Sequence, residues 1–210
     1  MSDSKGKYLK RVAGQTEPKI QWFCKGGSTS VDTLNWLSAN IKGLKKRYGN
    51  HIRLYAWVGT CDFTSKGKQF VSLKTPTNDV LQSLRDNLRK IQELCITASI
   101  KCTFLQIPYY SIQRWNETKG HQNPVIYKAD DEQLTSLIDT ANEFVELLNS
   151  ETNTHTPKLN QDLVRSRKKK GGKQRYSLNF NLLHDGIHPG ENIARSWLAS
   201  ISRQIHKDCV

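Results

Sequence analysis

Near the C-terminus, Asp185-Gly186-Ile187-His188-Pro189 places a carboxylate and an imidazole three residues apart. Gly186 and Pro189 keep the segment from being ordinary helix, so the two side chains can meet across a tight turn. An aspartate that accepts from one ring nitrogen leaves the other free to act as a base. Such a pair needs a nucleophile, and the best candidate lies at the opposite end of the chain: Ser4, in Ser2-Asp3-Ser4-Lys5-Gly6-Lys7-Tyr8-Leu9. Ser4 is equally suited to N-cap a helix over 5–12, and a serine heading a helix is compatible with both roles. Chemistry requires that folding bring the two ends of the chain together.

Two further patches bear on this. Gly26-Gly27-Ser28-Thr29-Ser30 follows a candidate strand over 19–24, and Gly59-Thr60-Cys61-Asp62 follows a clearer one over 52–58. In order along the chain, the four patches resemble the sequence blocks of the SGNH hydrolases, also called GDSL-type esterases and lipases, and the resemblance spans essentially the whole chain. The last block is a close match. In the first, the family's Gly-Asp-Ser is Ser2-Asp3-Ser4 here, with Ser4 at the nucleophile. The resemblance implies an oxyanion hole made by the backbone N–H groups of Ser4 and Gly27, although Gly27 alone would also suit a plain turn with positive φ.

The third block departs from the family pattern. Gly-x-Asn-Asp becomes Gly59-Thr60-Cys61-Asp62, with Cys61 where the oxyanion-hole asparagine belongs. A thiol is a much weaker donor than a carboxamide, and loss of one oxyanion donor lowers turnover by roughly two to three orders of magnitude. The resemblance therefore implies an enzyme that is slow, altered or inactive. Cys61 is either a small buried hydrophobe or a second nucleophile for His188. The activity implied is cleavage of a small ester or acylated substrate through Ser4, His188 and Asp185, without a cofactor. Domains of this kind also occur in proteins of some non-LTR retrotransposons and other mobile or viral elements, a setting that suits a basic chain.

The elements that must position these residues alternate between strand and helix. Apolar positions at helical spacing predict helices over 32–48, 79–98, 131–148 and 191–206. Buried strands are expected at 19–24, 52–58 and 102–107, with a loop over 63–78 that includes a short extended piece at 70–73, and a polar linker over 149–157. The expected architecture is α/β: a three-layer α/β/α sandwich with a parallel sheet, flavodoxin-like, as in SGNH hydrolases. Only Met1, Ser2 and Asp3 precede Ser4, so its first strand is truncated: either the protein begins further upstream or a central strand is lost. Tyr109, Tyr110 and Trp115 follow the 102–107 strand, where they either stack a base or acyl chain or pack in the core.

A chain of 210 residues, 36% of them hydrophobic, suits one α/β domain over 1–210. The net charge of +13 favours anionic partners. Much of it falls in Arg165, Arg167, Lys168, Lys169, Lys170, Lys173 and Arg175 around Gly171-Gly172. That run reads as a solvated, flexible loop at about 165–175, which either neutralises RNA or DNA phosphates, serves as an import-like patch, or is merely exposed. Five cysteines without a C-x-x-C pair favour a reducing, intracellular compartment, cytoplasmic or nuclear, and argue against structural zinc. His184 and His188 have the spacing of a metal pair, but Gly186 between them removes the helical geometry, so no metal is expected. No signal peptide or membrane span is expected, because the start is polar and no apolar run approaches ~18 residues.

Overall fold

The computed structural model describes residues 1–14, 18–49, 52–167 and 175–209. In chain order the first half holds α1 (Lys5–Val12), α2 (Ser30–Tyr48), β1 (Arg53–Ala56), the short α3 (Thr60–Phe63), β2 (Thr64–Lys66), β3 (Val71–Leu73) and α4 (Thr77–Thr97). The second half holds β4 (Lys101–Phe104), α5 (Ile112–Thr118), α6 (Lys128–Glu151), β5 (Val164–Arg167), β6 (Arg175–Leu178) and α7 (Glu191–Cys209).

The sheet is parallel, and residues 1–3 occupy the place of its first strand. Ser2 bridges in parallel to Cys24 on one side and to Trp57 on the other. Its N–H donates to the Phe23 carbonyl (2.9 Å), its carbonyl accepts from Lys25 N–H (3.1 Å), and Met1 O accepts from Trp57 N–H (2.9 Å). Residues 1–3 thus fill the central position. Beyond Trp57 the sheet continues through β1, which pairs in parallel with β4, Leu54 opposite Cys102 and Ala56 opposite Phe104. The strand expected over 19–24 is represented only by its bridge at Cys24.

Helices cover both faces, α1 against α7, and α4 between α2 and α6. Leu84, Leu88, Ile91 and Cys95 of α4, Leu134, Ile138, Ala141, Val145 and Leu148 of α6, and Trp197, Leu198 and Ile201 of α7 are all buried, as their three-and-four spacing requires. Trp57 and Trp197 meet edge to face at 5.6 Å, and their indole N–H groups donate to Gln106 O (2.9 Å) and Leu159 O (3.0 Å). This anchors α7, and with it the preceding turn, to the end of β1.

The outer side of β4 has no neighbouring strand among the described residues, and side-chain amides take its place. Asn149 bonds both Phe104 N (2.9 Å) and Phe104 O (2.8 Å), and Asn142 bonds both Ile107 N (2.8 Å) and Ile107 O (2.9 Å). Thr156 accepts from Gln106 N (2.8 Å) and Asn160 from Tyr109 N (2.7 Å). The segment expected to be a polar linker is therefore sheet-edge structure: its polarity serves the unpaired backbone, which must be bonded somewhere. Asn149→Ala is expected to lower the unfolding free energy by about 1–3 kcal/mol, because it strands two buried main-chain groups at once. A urea midpoint equal to that of the parent would show that water replaces the amide without loss.

Two other expectations change. In the 63–78 segment the extended piece expected at 70–73 is β3, and it pairs with β2 in an antiparallel hairpin, tied to α5 by Asn116, which bonds Val71 N (2.9 Å) and O (2.8 Å). The basic run is not simply a loop, because its ends pair antiparallel as β5 and β6, Arg167 opposite Arg175. Lys168, Lys169, Lys170 and Lys173 lie outside the described residues. No helix among the described residues is long and apolar enough to cross a membrane.

Candidate active site

Ser4 stands where the central strand gives way to α1. It occupies the N-cap position (φ −60°, ψ −27°), yet its side chain makes no capping bond. Its Oγ instead lies 2.8 Å from His188 Nε2, 184 residues away. His188 Nδ1 lies 2.7 Å from Asp185 Oδ2, and Asp185 Oδ1 accepts from the backbone N–H groups of Ile187 (3.1 Å) and His188 (2.8 Å). The sequence-predicted Ser4, His188 and Asp185 are thus joined in one hydrogen-bonded line, with only 15% of the His188 side chain exposed.

The turn holding the pair is closed by His184 N–H donating to His188 O (2.7 Å) and by a bridge between Leu183 and Pro189. Its tightness depends on Gly186, at φ +87°. A Cβ there would sit 2.9 Å from Trp115 N and 2.9 Å from Arg114 Cβ. Gly186→Ala is expected to destabilise the fold by roughly 1–3 kcal/mol through backbone strain and overlap with α5, measurable by chemical unfolding. An unchanged midpoint would mean the turn tolerates the methyl.

Burial tends to raise the Asp185 pKa. The His188 side-chain and backbone hydrogen bonds, the imidazole's charge and the Ile187 N–H outweigh it, and the carboxyl lies below the ordinary carboxylate range. A folded-state pKa below the unfolded one adds stability above the unfolded value, lost as pH falls through the lowered folded value.

The surroundings of Ser4 offer hydrogen-bond donors without acceptors. Neither Ser4 N–H nor Gly27 N–H is bonded among the described residues. Gly27 has φ +73°, and the turn abuts the serine, because a Cβ on Gly26 would lie 4.0 Å from Ser4 Cβ. The third block is fixed through Asp62, which accepts from Ser30 N–H (3.0 Å) and Ser30 Oγ (2.5 Å) at the start of α2.

The architecture matches solved structures over nearly the whole chain. A GDSL-like lipase from Bacteroides thetaiotaomicron covers 99% of this chain and 86% of its own, with TM-score 0.61 and 15% identity. A protein from Bacteroides fragilis described as a candidate acylhydrolase covers 100% of this chain and 86% of its own, with TM-score 0.64 and 15% identity.

The chain has the SGNH-hydrolase fold. A further structure with this fold is the OSK domain of Drosophila Oskar, covering 98% of this chain and 86% of its own, with TM-score 0.54 and 14% identity. No family model and no curated protein sequence matches the chain, so within the SGNH fold its sequence is divergent.

Divergence from the SGNH blocks is concentrated at Cys61. Burial pushes the thiol up to about 11, which disfavours the thiolate that a second nucleophile would need. Next to Ser4, Lys5 is part of a buried ion pair. Lys5 Nζ lies 2.6 Å from Asp3 Oδ2, with side chains 1% and 0% exposed, and also donates to Thr60 Oγ1 beside Cys61.

The imidazole is flanked by Tyr8, which the sequence reading left out of the site, and by Trp115, which it named only as an aromatic beyond the 102–107 strand that either stacks a ligand or packs in the core. Tyr8 stacks on the imidazole at 5.0 Å with 22° between planes, and Trp115 lies at 5.8 Å tilted by 57°. Tyr8 follows Ser4 by four residues, so helical periodicity carried a signal for it. For Trp115 the sequence offered only its place beyond the 102–107 strand, because its contact with the imidazole depends on how α5 packs against the Asp185 turn. Of the basic run, Arg165 lines a cleft of about 390 Å³ with Arg114, Asp131 and Asn181. Among the described residues no group of three metal-ligating side chains assembles, at His184 or elsewhere.

Proposed function

We propose that the protein is a serine esterase of the SGNH type, its residues 1–210 acting as one domain in a reducing compartment. The observation that carries this reading is the unbroken line from Ser4 Oγ to His188 Nε2 to Asp185 Oδ2, at 2.8 and 2.7 Å. Ser4 Oγ attacks the ester carbonyl carbon while His188 Nε2 takes its proton. Asp185 keeps the remaining proton on Nδ1 and stabilises the imidazolium. The unbonded N–H groups of Ser4 and Gly27 take up the negative charge that develops on the carbonyl oxygen. Collapse expels the alcohol, protonated by His188, and leaves an acyl group on Ser4. Water then attacks that group with His188 again as base, regenerating the serine.

Cys61 supplies at most a weak donor in this scheme, so turnover is slow. Hydrolysis of short-chain p-nitrophenyl esters should be measurable for the parent, and Cys61→Asn should raise kcat by about tenfold or more, since an oxyanion amide contributes on the order of 10²–10³. Absence of Ser4-dependent hydrolysis in both proteins would overturn the esterase reading.

A second reading, a nucleic-acid-binding module of a mobile or viral element, is favoured by the β5–β6 hairpin. It carries Arg165 and Arg167 on one strand and Arg175 on the other, and Tyr176, exposed to 67%, is an aromatic that could stack a base. RNA and DNA titrations at two salt concentrations test it. Binding indifferent to salt and to charge removal at Arg165, Lys168, Lys169 and Lys170 would exclude it.

A further inference from the structure

The cleft of about 390 Å³ between α5 and the β5–β6 hairpin is lined by one arginine from each side, Arg114 from the helix and Arg165 from the hairpin. A space of that size is in the range of small-molecule sites. Among the described residues neither guanidinium forms an ion pair. Side-chain amides hold them instead. Arg114 Nη1 donates to Asn181 Oδ1 (2.6 Å), and Arg165 donates to the Asn179 side-chain oxygen through Nε (3.1 Å) and Nη2 (2.9 Å). A neutral amide orients a guanidinium without cancelling its charge.

Two acids also line the cleft, and neither pairs with an arginine. Asp131 is committed to the start of α5, where it accepts from Ser111 Oγ (2.5 Å) and Ile112 N–H (2.6 Å). Glu117 forms no ion pair among the described residues. Arg114 is held at its base as well as its tip, because a Cβ on Gly186 would come 2.9 Å from Arg114 Cβ. Two oriented cationic forks therefore line one cleft. A carboxylate, with two oxygens, satisfies one such fork, whereas a phosphate monoester offers three oxygens and a charge near −2 and can serve both.

We propose that this cleft binds the phosphate group of a phosphate ester between Arg114 and Arg165, at a site separate from Ser4 and independent of the esterase reading. The net charge of +13 raises the local concentration of such ligands. A free nucleotide and a nucleic-acid strand present the same group. They differ in reach, since only a strand extends beyond the cleft along the basic hairpin.

Binding is read with adenosine 5′-monophosphate as the probe, at constant ionic strength, on ¹⁵N-labelled protein. The nucleotide should move the amide resonances of Ser177, Asn179 and Asn181, and adenosine should leave them in place. Arg114→Gln and Arg165→Gln should each weaken binding about tenfold or more, the loss expected of charge-assisted contacts. Arg165→Lys should be nearly as weak, because an ammonium keeps the charge and loses the fork. Lys46→Gln, which removes the same charge from an exposed position on α2, should bind like the parent. Arg114 packs against the Asp185 turn, so if its variant unfolds, Arg165 on the exposed hairpin decides alone. Resonances that move with neither compound or equally with both, or affinities lowered alike by the Arg165 and Lys46 variants, overturn the proposal.

A uridine decamer then assigns the source of the phosphate. Binding about tenfold or more tighter than the nucleotide, and weakened in Arg165→Gln, places the group in a strand. Binding no tighter than the nucleotide places it in a free ester. A decamer that binds salt-sensitively but ignores both arginine variants, with no response to the nucleotide, overturns the cleft site and leaves the nucleic-acid reading standing. Ser4-dependent ester hydrolysis should be unchanged in Arg165→Gln, so the titration and the esterase reading fail or succeed separately.

Discussion

Asp185→Asn is expected to lower kcat/KM for p-nitrophenyl acetate by about four orders of magnitude while the protein remains folded. The amide oxygen can keep the two backbone bonds that Asp185 Oδ1 now accepts, from Ile187 N and His188 N, so the turn should hold. The other end of the side chain changes sign. Asp185 Oδ2 accepts at His188 Nδ1, whereas an amide nitrogen there would donate, and Nδ1 would have to become the acceptor. The ring proton then moves to Nε2, the atom that faces Ser4 Oγ, and a protonated Nε2 cannot take the serine proton. Activity within tenfold of the parent, with an unchanged circular dichroism spectrum, would mean that the carboxylate does not set the tautomer.

Lys5→Met should be the most damaging single change to stability, about 3–5 kcal/mol, because it leaves a buried carboxylate without its counter-charge. Asp3 is fully buried, and Lys5 meets it twice, through Nζ at 2.6 Å and through its backbone N–H at 2.9 Å. Only the second bond survives the substitution. A linear methionine fills most of the lysine's volume, so the effect reports charge more than packing. Adding Asp3→Asn removes the stranded charge, and the double variant should recover part of the loss, a coupling that separates electrostatics from a cavity. Urea unfolding of the four proteins measures it. A Lys5→Met loss below roughly 1 kcal/mol, the range of an exposed pair, would show that water reaches the site.

The sequence disclosed the site more fully than the sheet that supports it. Asp185, His188 and Ser4 were legible because short motifs carry their own geometry: a glycine and a proline shape the turn, and an acid three residues before a histidine can reach its ring. The helices were legible for the same kind of local reason, apolar stripes on 79–98, 131–148 and 191–206 that fall within or beside α4, α6 and α7. What could not be read were features fixed only by tertiary pairing. Only Met1, Ser2 and Asp3 precede Ser4, too few residues to carry a strand pattern, and the pairing of Ser2 on both sides needs no pattern of its own. The polar stretch near Asn149 looked like a linker because its amides satisfy another segment's backbone. The basic run looked wholly loop-like because its charge hid the pairing of β5 with β6. Cys61 departs from the family pattern on sequence alone, but its burial, which pushes the thiol pKa up, is not a property of its neighbours in sequence. The meeting of Arg114 and Arg165 at one cleft belongs to the same class of hidden feature.

The central claim, that the hydroxyl of Ser4 is made nucleophilic by His188, is tested most directly by covalent capture. Incubation with a fluorophosphonate followed by peptide mass spectrometry should give one adduct, on Ser4, absent from Ser4→Ala and strongly slowed in His188→Gln. An adduct that persists in Ser4→Ala, or that forms on Ser4 at the same rate when His188 is replaced, would contradict it.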